Sequence, residues 1–249
     1  MRFLIYNIAY GTGSPGGAHK RLFTTHRYIK TQDEHFDQII EFIRESKADV
    51  IGLVEADTGS YRTDRTDQVK RLASHLNHFH VCDTKYGRYS LLRFVPFLRN
   101  HANAILTSYD ESRSYFHYLP RGMKKLVIES EINGIVFYLV HLALSQKARA
   151  EQLRHLSKIM PKDKPVIVAG DFNTMQGEEE LHSFMDKCSL INPNTYNLPT
   201  YPAWRPQKQL DYILCSKNIK IRHFKVPDVE FSDHLPLLLD FEAPATTEP

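Results

Sequence analysis

Strand-like apolar runs joined by short turns dominate the middle of this chain and limit the folds open to it. Between residues 79 and 140, five runs fit β-strands, and Asn133-Gly134 separates the last two. Asn-Gly between two such runs is the strongest sequence signal for a two-residue β-hairpin. Towards both ends of the chain, strand-like runs alternate with amphipathic segments of helical spacing. Hairpins mixed with strand–helix alternation predict an α+β protein with two mostly antiparallel sheets.

The helical segments follow from the spacing of their apolar residues. In the first of them, Phe36, Ile39, Ile40 and Ile43 recur on one helical face. The same spacing predicts helices over residues 33–46, 66–77, 145–160 and 178–187. Residues 165–169 are predicted as a buried strand between the last two helices.

The size of the chain favours one domain with one large core. It has 249 residues, of which 42% are hydrophobic and 24% are charged, and sandwich folds of this length commonly form a single domain. We therefore expect one domain over residues 1–249, with a flexible tail at about residues 243–249. The three cysteines are widely spaced and contain no Cys-x-x-Cys pair, which indicates free thiols rather than a disulfide framework.

Neither a signal peptide nor a membrane span is predicted, because the first apolar run is short and leads directly into a polar loop. A cytoplasmic monomer is expected. The net charge of +3 permits a phosphate-bearing partner without requiring nucleic acid. Residues 94–98 form an apolar run between two arginines, which we interpret as buried core rather than as a peripheral membrane contact.

Polar residues stand where the predicted strands meet loops. Strand ends at one rim of a sheet point their side chains into a common crevice on a rigid scaffold, which is where catalytic groups belong. The residues in such positions are Asn7, Glu55, His141, Asp171, Asn173, Asp211, Asp233 and His234. Carboxylate and amide oxygens suit Mg²⁺ or Mn²⁺. Aspartates, asparagines and histidines supply what phosphoester hydrolysis also needs: a base for water, positive charge and hydrogen bonds for the developing oxyanion.

Taken in order, the segments YN, LVE, HL, GDFN, LDYI and SDH resemble the motifs of the endonuclease/exonuclease/phosphatase (DNase I-like) superfamily. They run from residue 7 to residue 234, and GDFN together with SDH is the most specific part. The resemblance implies a four-layer α/β/β/α sandwich with the site at one rim of the paired sheets. It also implies a divalent-metal-dependent phosphoester hydrolase in which water attacks phosphorus in line.

The resemblance implies a role for each residue of the metal and water sites. Glu55 is the expected metal carboxylate, with Asn7 beside it and Asp233 as a further partner of the Mg²⁺ or Mn²⁺ ion. Asp171 is expected to orient or deprotonate the attacking water. Asn173 is expected to hold a phosphate oxygen.

Substrate contacts are implied for three further positions. His234 and His141 are expected to contact the scissile phosphate, and Asp211 to orient one of these two histidines. Asn103, in the segment HANAIL, resembles the asparagine of the family's GNA segment and is expected to bind substrate. Ala102 stands where the family usually has glycine.

Two other patterns carry weaker signals. Residues 11–16 match G-x-G-x-x-G after a strand, but a dinucleotide site requires a helix to begin in that loop, and Pro15, Gly16 and Gly17 oppose one. We therefore interpret residues 11–17 as a flexible wall of the active site. Basic and aromatic residues mix between residues 115 and 125, which we interpret as a strand followed by a solvated basic turn.

The sequence leaves the substrate class open. The mild positive charge and the basic-aromatic stretches at residues 88–99 and 115–125 favour a phosphodiesterase acting on nucleic acid. The compact chain suits equally a phosphodiesterase or phosphatase for a small molecule or a lipid headgroup. A third hypothesis is an inactive binding module, against which the complete set of expected catalytic residues argues.

Overall fold

Twelve strands arranged in two sheets form the centre of the molecule. The structure, a computed structural model, describes residues 1–13, 33–84, 100–110 and 112–242. In chain order the strands are β1 Arg2–Asn7, β2 Val50–Asp57, β3 Phe79–Thr84, β4 His101–Thr107, β5 Ser112–Tyr118, β6 Leu126–Ile132, β7 Ile135–His141, β8 Val166–Asp171, β9 Leu190–Ile191, β10 Asp211–Ser216, β11 Lys220–Lys225 and β12 Leu237–Glu242. The α-helices are α1 Asp33–Ser46, α2 Gln68–Leu76, α3 Gln146–Ile159 and α4 His182–Cys188.

Three of the sequence predictions lie wholly or largely outside the described residues. These are the flexible tail at 243–249, the loop at 11–17 beyond residue 13, and the basic stretch at 88–99 with its apolar run. Within the described ranges, none of the helices is long and apolar enough to cross a membrane.

Each sheet has six strands, in the orders β11-β12-β1-β2-β4-β3 and β5-β6-β7-β8-β10-β9. One central pair in each sheet is parallel, β1 with β2 and β7 with β8, and the other pairs are antiparallel. A parallel pair needs a crossover connection, and α1 and α3 lie within these two connections. The prediction of two mostly antiparallel sheets is confirmed.

Three apolar clusters separate four layers. Between the sheets, Phe3 of β1 packs edge-on against Phe137 of β7, with ring centroids 5.2 Å apart. Helices α1 and α2 cover the outer face of the first sheet through residues such as Ile39 and Leu72. Helices α3 and α4 cover the outer face of the second sheet, where Leu156 is fully buried. The chain therefore forms the expected α/β/β/α sandwich.

The inter-sheet face becomes polar at one rim. Side chains alternate along a strand, so Asn7 points to the same face as the core residues Phe3 and Ile5. Polar residues occupy the corresponding rim positions on one other strand of this sheet and on three strands of the facing sheet. These residues are His141 of β7, Asp171 of β8, Asp211 of β10 and Asn103 of β4.

Among the predicted elements whose bounds differ from the observed ones, two lie next to the rim. The predicted helix at residues 178–187 is wrong in its first turn, because Glu178–Leu181 forms a 3-10 turn and α4 begins only at His182. Such turns are frequent at helix N-termini, and this one places Glu180 against Arg149 of α3. The strand predicted at residues 165–169 extends to Asp171, so this aspartate is the last residue of β8 rather than part of the following loop.

Candidate active site

Three adjacent strands of the second sheet bring their polar end residues side by side. In the strand register, His141 pairs with Asp171, and Asp171 pairs with Asp211. All three side chains are buried. The sheet therefore fixes one histidine and two carboxylates in a row at the rim, although 70 residues of sequence separate the first from the last.

Gly170 makes this close arrangement possible. It has φ +140°, and a Cβ at this position would lie 1.9 Å from the carbonyl oxygen of Val140 on the neighbouring strand. Only glycine avoids that collision and adopts such a backbone conformation without strain. The first residue of GDFN is thus required by the contact between β7 and β8.

Asp171 is held at the rim by contacts to both of its carboxylate oxygens. Its Oδ2 accepts a hydrogen bond from Asn7 Nδ2 at 3.1 Å and lies 3.2 Å from His141 Nε2, and its Oδ1 accepts one from the Asn173 backbone N–H at 3.0 Å. Burial alone raises the pKa of the Asp171 carboxyl, but His141, His234 and Lys124 outweigh it and bring the pKa well below its usual range. Asp171 is therefore ionised at neutral pH.

Asn173 occupies a left-handed turn directly after β8. Its φ is +54°, a conformation that asparagine tolerates better than most residues. Its Nδ2 donates to the Leu142 carbonyl at 3.0 Å, which ties the loop after β8 to the loop after β7. The amide has a second N–H, so this anchored side chain retains one donor for a ligand.

Lys124 joins the site from the loop between β5 and β6. We interpreted this segment as a solvated basic turn, and that interpretation is wrong for Lys124, which is half-buried with its Nζ in contact with His141 Nε2. Nε2 of a neutral histidine either accepts a proton or donates one, but not both. His141 Nε2 therefore lies between two polar neighbours, Lys124 Nζ and Asp171 Oδ2.

Asp211 orients His234 rather than His141. Its Oδ2 lies 2.7 Å from His234 Nδ1 and also accepts a hydrogen bond from the Thr200 hydroxyl at 2.7 Å. Burial alone lowers the pKa of the His234 imidazole, but Asp211, together with Asp171 and Asp233, raises it to about 10. His234 is therefore an imidazolium at neutral pH, with Nδ1 committed to the carboxylate.

The first sheet contributes Glu55 through a β-bulge. The register between β2 and β4 shifts between Leu53 and Ala56, and Glu55 has φ +59°. Bulges re-aim a side chain and are common next to active sites. Asn103 of β4 stabilises this one, since its Oδ1 accepts a hydrogen bond from the Glu55 backbone N–H at 3.3 Å.

Asn103 also presents a donor. Its Nδ2 is buried and has no hydrogen-bond partner among the residues that the structure describes. Buried donors are normally satisfied, and an exception calls for a ligand or water. Asn103 thus stabilises the bulge through Oδ1, and its Nδ2 can donate a hydrogen bond to a bound group.

Asp233 adds a further carboxylate to the cleft, near those of Glu55 and Asp171. Burial raises the pKa of its carboxyl. His234 opposes this rise, whereas the nearby carboxylates of Glu55 and Asp171 add to it. The loop that carries Asp233 is fixed to β1, because the Ser232 hydroxyl donates to the Asn7 carbonyl at 2.7 Å. Both sheets therefore contribute negative charge to one place.

This donor set fits a divalent cation with oxygen preference. Glu55 also lies near His141, with 3.9 Å between Oε1 and Nδ1. The described part of the chain contains no cluster of three or more His, Cys, Asp or Glu side chains arranged around a single metal position. Mg²⁺ needs no such cage, because it binds through one or two carboxylates and keeps several waters. Crowded carboxylates at the rim gain from a cation that neutralises them.

The structure thus brings together all nine residues singled out from the sequence. They are Asn7, Glu55, Asn103, His141, Asp171, Asn173, Asp211, Asp233 and His234. Sequence reasoning missed Lys124 as a member of the site and Thr200 as a partner of Asp211. It quoted Ser232 within SDH without assigning the hydrogen bond by which this residue holds the Asp233 loop. Nothing in the local pattern of Lys124 or Thr200 distinguishes them from ordinary loop residues, whereas Ser232 belongs to the SDH motif.

Comparison with known proteins agrees with this geometry. The family model described as "Endonuclease/Exonuclease/phosphatase family" matches residues 6–234. No curated protein sequence matches the chain.

Solved structures share the fold at low sequence identity. An endonuclease/exonuclease/phosphatase from Beutenbergia cavernae has a TM-score of 0.73 and 19% identity, over 98% of this chain and 71% of that one. The mannosyl-6-phosphatase of Bacteroides thetaiotaomicron has a TM-score of 0.71 and 14% identity, over 97% and 99%. The human Nocturnin catalytic domain has a TM-score of 0.68 and 21% identity, over 98% and 93%. Because the family match spans the rim residues from both sheets, the chain belongs to the endonuclease/exonuclease/phosphatase family.

Proposed function

We propose that this protein is a divalent-metal-dependent phosphoester hydrolase in which water attacks phosphorus in line, and that its substrate is a phosphodiester in nucleic acid. The observation that carries the proposal is that Asp171, His141 and Lys124 from the second sheet and its loops lie close to two residues from the other side of the sandwich. These are Glu55 of β2 and His234 from the loop that leads into β12. Hydrolysis needs an oriented water, positive charge around the phosphate and donors for the developing oxyanion. The rim contains a candidate residue for each of these three requirements.

Asp171 is the proposed partner of the attacking water. Its pKa lies well below the usual range because of the surrounding cations, so it accepts hydrogen bonds well but is a weak proton acceptor. We therefore assign it to orienting the water through an accepted hydrogen bond. Asn7 and the Asn173 backbone N–H keep the carboxylate in place.

Cationic and neutral donors are proposed to hold the phosphate. Lys124 and the His234 imidazolium supply positive charge, and the free N–H of Asn173 and the buried Nδ2 of Asn103 supply hydrogen bonds. Preorganised donors aimed at developing charge give the largest single contribution in many enzymes. A divalent ion held by Glu55, with Asn7 and Asp233 nearby, would supply Lewis-acid stabilisation of the phosphoryl oxygens when bound.

Nucleic acid is the first substrate hypothesis. The net charge of +3 and the cationic residues on the loop between β5 and β6, Arg121 and Lys124, support it. A small-molecule phosphoester is the alternative, supported by the full-length fold match to a mannosyl-6-phosphatase. We also propose a monomeric cytoplasmic protein, in keeping with its three free cysteines.

A substrate panel separates these possibilities. Purified protein with Mg²⁺, Mn²⁺ or EDTA would be assayed on bis-p-nitrophenyl phosphate, p-nitrophenyl phosphate, and labelled single- and double-stranded DNA and RNA. We expect metal-dependent cleavage of diesters, with affinity for nucleic acid that falls steeply with salt. Turnover confined to the monoester would support the small-molecule alternative. Metal binding without turnover on any substrate would contradict the hydrolase proposal.

A further inference from the structure

One fully buried residue on the sheet-facing side of α3 is polar. Gln152 lies one position before the core residue Leu153 and has no exposed surface. Its side-chain Oε1 accepts a hydrogen bond from the Ala143 backbone N–H at 2.9 Å. Its Nε2 donates to the carbonyl oxygens of Lys124 at 2.7 Å and Arg121 at 3.0 Å. A single side chain therefore joins the loop that precedes β6 to the loop that follows β7, at the end of this strand pair.

The identity of this residue is set by the loops rather than by the apolar core. Ala143 presents its N–H to this side chain, whereas Lys124 and Arg121 present their carbonyl oxygens. The residue at position 152 must therefore both accept and donate hydrogen bonds. An apolar side chain of equal size would leave the buried Ala143 N–H and the two partly buried carbonyl oxygens without these hydrogen bonds, which costs free energy. Glutamine supplies an acceptor and two donors within one planar group.

The loop between β5 and β6 is also packed closely onto Gln152. Gly122 in this loop has φ +78°, and a Cβ there would lie 2.9 Å from the Ala143 Cβ and 3.2 Å from Gln152 Nε2. Any other residue would push the loop away from the helix. Close packing at Gly122 and the hydrogen bonds from Gln152 Nε2 thus hold the same loop against α3.

The two loops joined by Gln152 carry the two partners of one contact in the site. Lys124 lies in the first loop, and His141 lies two residues before Ala143 at the start of the second. We propose that Gln152 is a positioning residue that holds Lys124 against His141 and so places the cation at the phosphate site. This inference rests on the proposed function, in which Lys124 neutralises phosphate charge.

A double-mutant cycle tests the inference. Gln152→Met keeps the volume of the side chain and removes its hydrogen bonds, and Leu156→Ala is the control, since Leu156 is equally buried on the same helix within the apolar cluster. We expect Gln152→Met to lower kcat on bis-p-nitrophenyl phosphate roughly 10- to 100-fold, because small displacements of catalytic groups have effects of this size. In a Lys124→Ala background, Gln152→Met should lower kcat by no more than about threefold, because the two residues act through one contact.

Leu156→Ala is the control for a loss of stability that leaves the site intact. Leu156→Ala should lower the melting temperature without changing kcat of the folded enzyme in either background. Equal losses of kcat from Gln152→Met in both backgrounds would overturn the inference. If Gln152→Met does not fold, Gln152→Glu serves instead, since it keeps the acceptor for Ala143 and loses the donors to the two carbonyls.

Hydrogen exchange gives a readout that does not depend on turnover. Amides in residues 119–125 should exchange faster in the Gln152 variant than in Leu156→Ala at matched global stability. Unchanged exchange there would overturn the inference even if the enzyme is active. Faster exchange in a protein without turnover would support the positioning of the loop while contradicting the proposed function.

Discussion

At the scale of single residues, the pairing of Asp211 with His234 determines the charge at one side of the cleft. The carboxylate lies 2.7 Å from Nδ1, and the pKa of the buried imidazole rises to about 10. A buried imidazolium is stable only beside compensating negative charge. In the proposed mechanism, Asp211 therefore acts on the phosphate through His234. Its own second oxygen, Oδ1, has no hydrogen-bond partner among the described residues.

Replacing Asp211 tests this dependence. Asp211→Asn keeps the shape of the side chain and removes its charge, so His234 loses the partner that keeps it protonated. We expect kcat/KM to fall by about 10²-fold or more, in the range of a lost acid–base or electrostatic contribution, with the fold retained by circular dichroism. Asp186→Asn, the same change on an exposed residue of α4, should leave kcat/KM unchanged. An active Asp211→Asn enzyme would contradict the role of the pair.

Residue identities at strand ends could be predicted, but some contacts could not. Asn7, His141 and Asp171 are visible in the sequence because each follows an apolar run, and alternation along the strand gives the face on which they lie. Lys124 is not visible, because its place beside His141 depends on a loop folding across a neighbouring strand. Gln152 is hidden for the same reason, since a polar residue in an amphipathic helix ordinarily faces water.

At the scale of elements, α3 holds the loops of the active-site rim as well as covering the sheet. Arg149 is almost fully buried, and its Nη1 donates to the carbonyl oxygens of Ala143 and Leu144 at 2.9 Å each. Its Nε donates to Glu180 at 3.0 Å, and Glu180 in turn accepts a hydrogen bond from the Gln176 backbone N–H at 3.1 Å. The loops after β7 and β8 are thereby connected beneath the proposed catalytic residues.

Breaking this buried ion pair should destabilise the fold strongly. Arg149→Met leaves Glu180 nearly buried and without its cation, and we expect the free energy of unfolding to drop by about 3–5 kcal/mol, measured by urea denaturation. The matched control is Lys164→Met, which breaks the more exposed pair with Glu131 and should change stability little. Equal effects of the two substitutions would show that the Arg149–Glu180 pair has no special role.

Elements defined by local signals were predicted well, and those defined by long-range contacts were not. The hairpin between β6 and β7 follows from Asn133-Gly134, both of which have positive φ. The bulge at Glu55 depends on its partner strand, through Asn103, and has no local signature. The 3-10 turn at Glu178–Leu181 likewise brings Glu180 to Arg149, 31 residues earlier in the chain.

At the scale of the whole molecule, the two sheets place carboxylates from opposite sides of the sandwich in one cleft. Glu55 comes from the first sheet, Asp171 from the second, and Asp233 from the loop that leads into β12. The raised pKa of Asp233 reflects burial and its proximity to the other two. Folding therefore concentrates negative charge that a cation would neutralise.

Metal binding should for this reason stabilise the folded protein. At a Mg²⁺ or Mn²⁺ concentration about 100 times Kd, binding to one site adds about 2.7 kcal/mol, and each kcal/mol raises Tm by about 2–4 °C for a chain of this size. Glu55→Gln should abolish most of this rise, whereas Glu151→Gln, on helix α3, should keep it. A rise in Tm that is the same in wild type and Glu55→Gln would place the metal elsewhere.

Metal-dependent hydrolysis by the wild-type protein and by Asp171→Asn tests the central claim most directly. Turnover of bis-p-nitrophenyl phosphate would be measured with Mg²⁺ or Mn²⁺ and again after EDTA. We expect turnover that EDTA removes and that Asp171→Asn lowers by about 10²–10⁴-fold, with the melting temperature nearly unchanged. Turnover that persists in EDTA, or in Asp171→Asn at the wild-type rate, would contradict a metal-dependent hydrolase centred on Asp171.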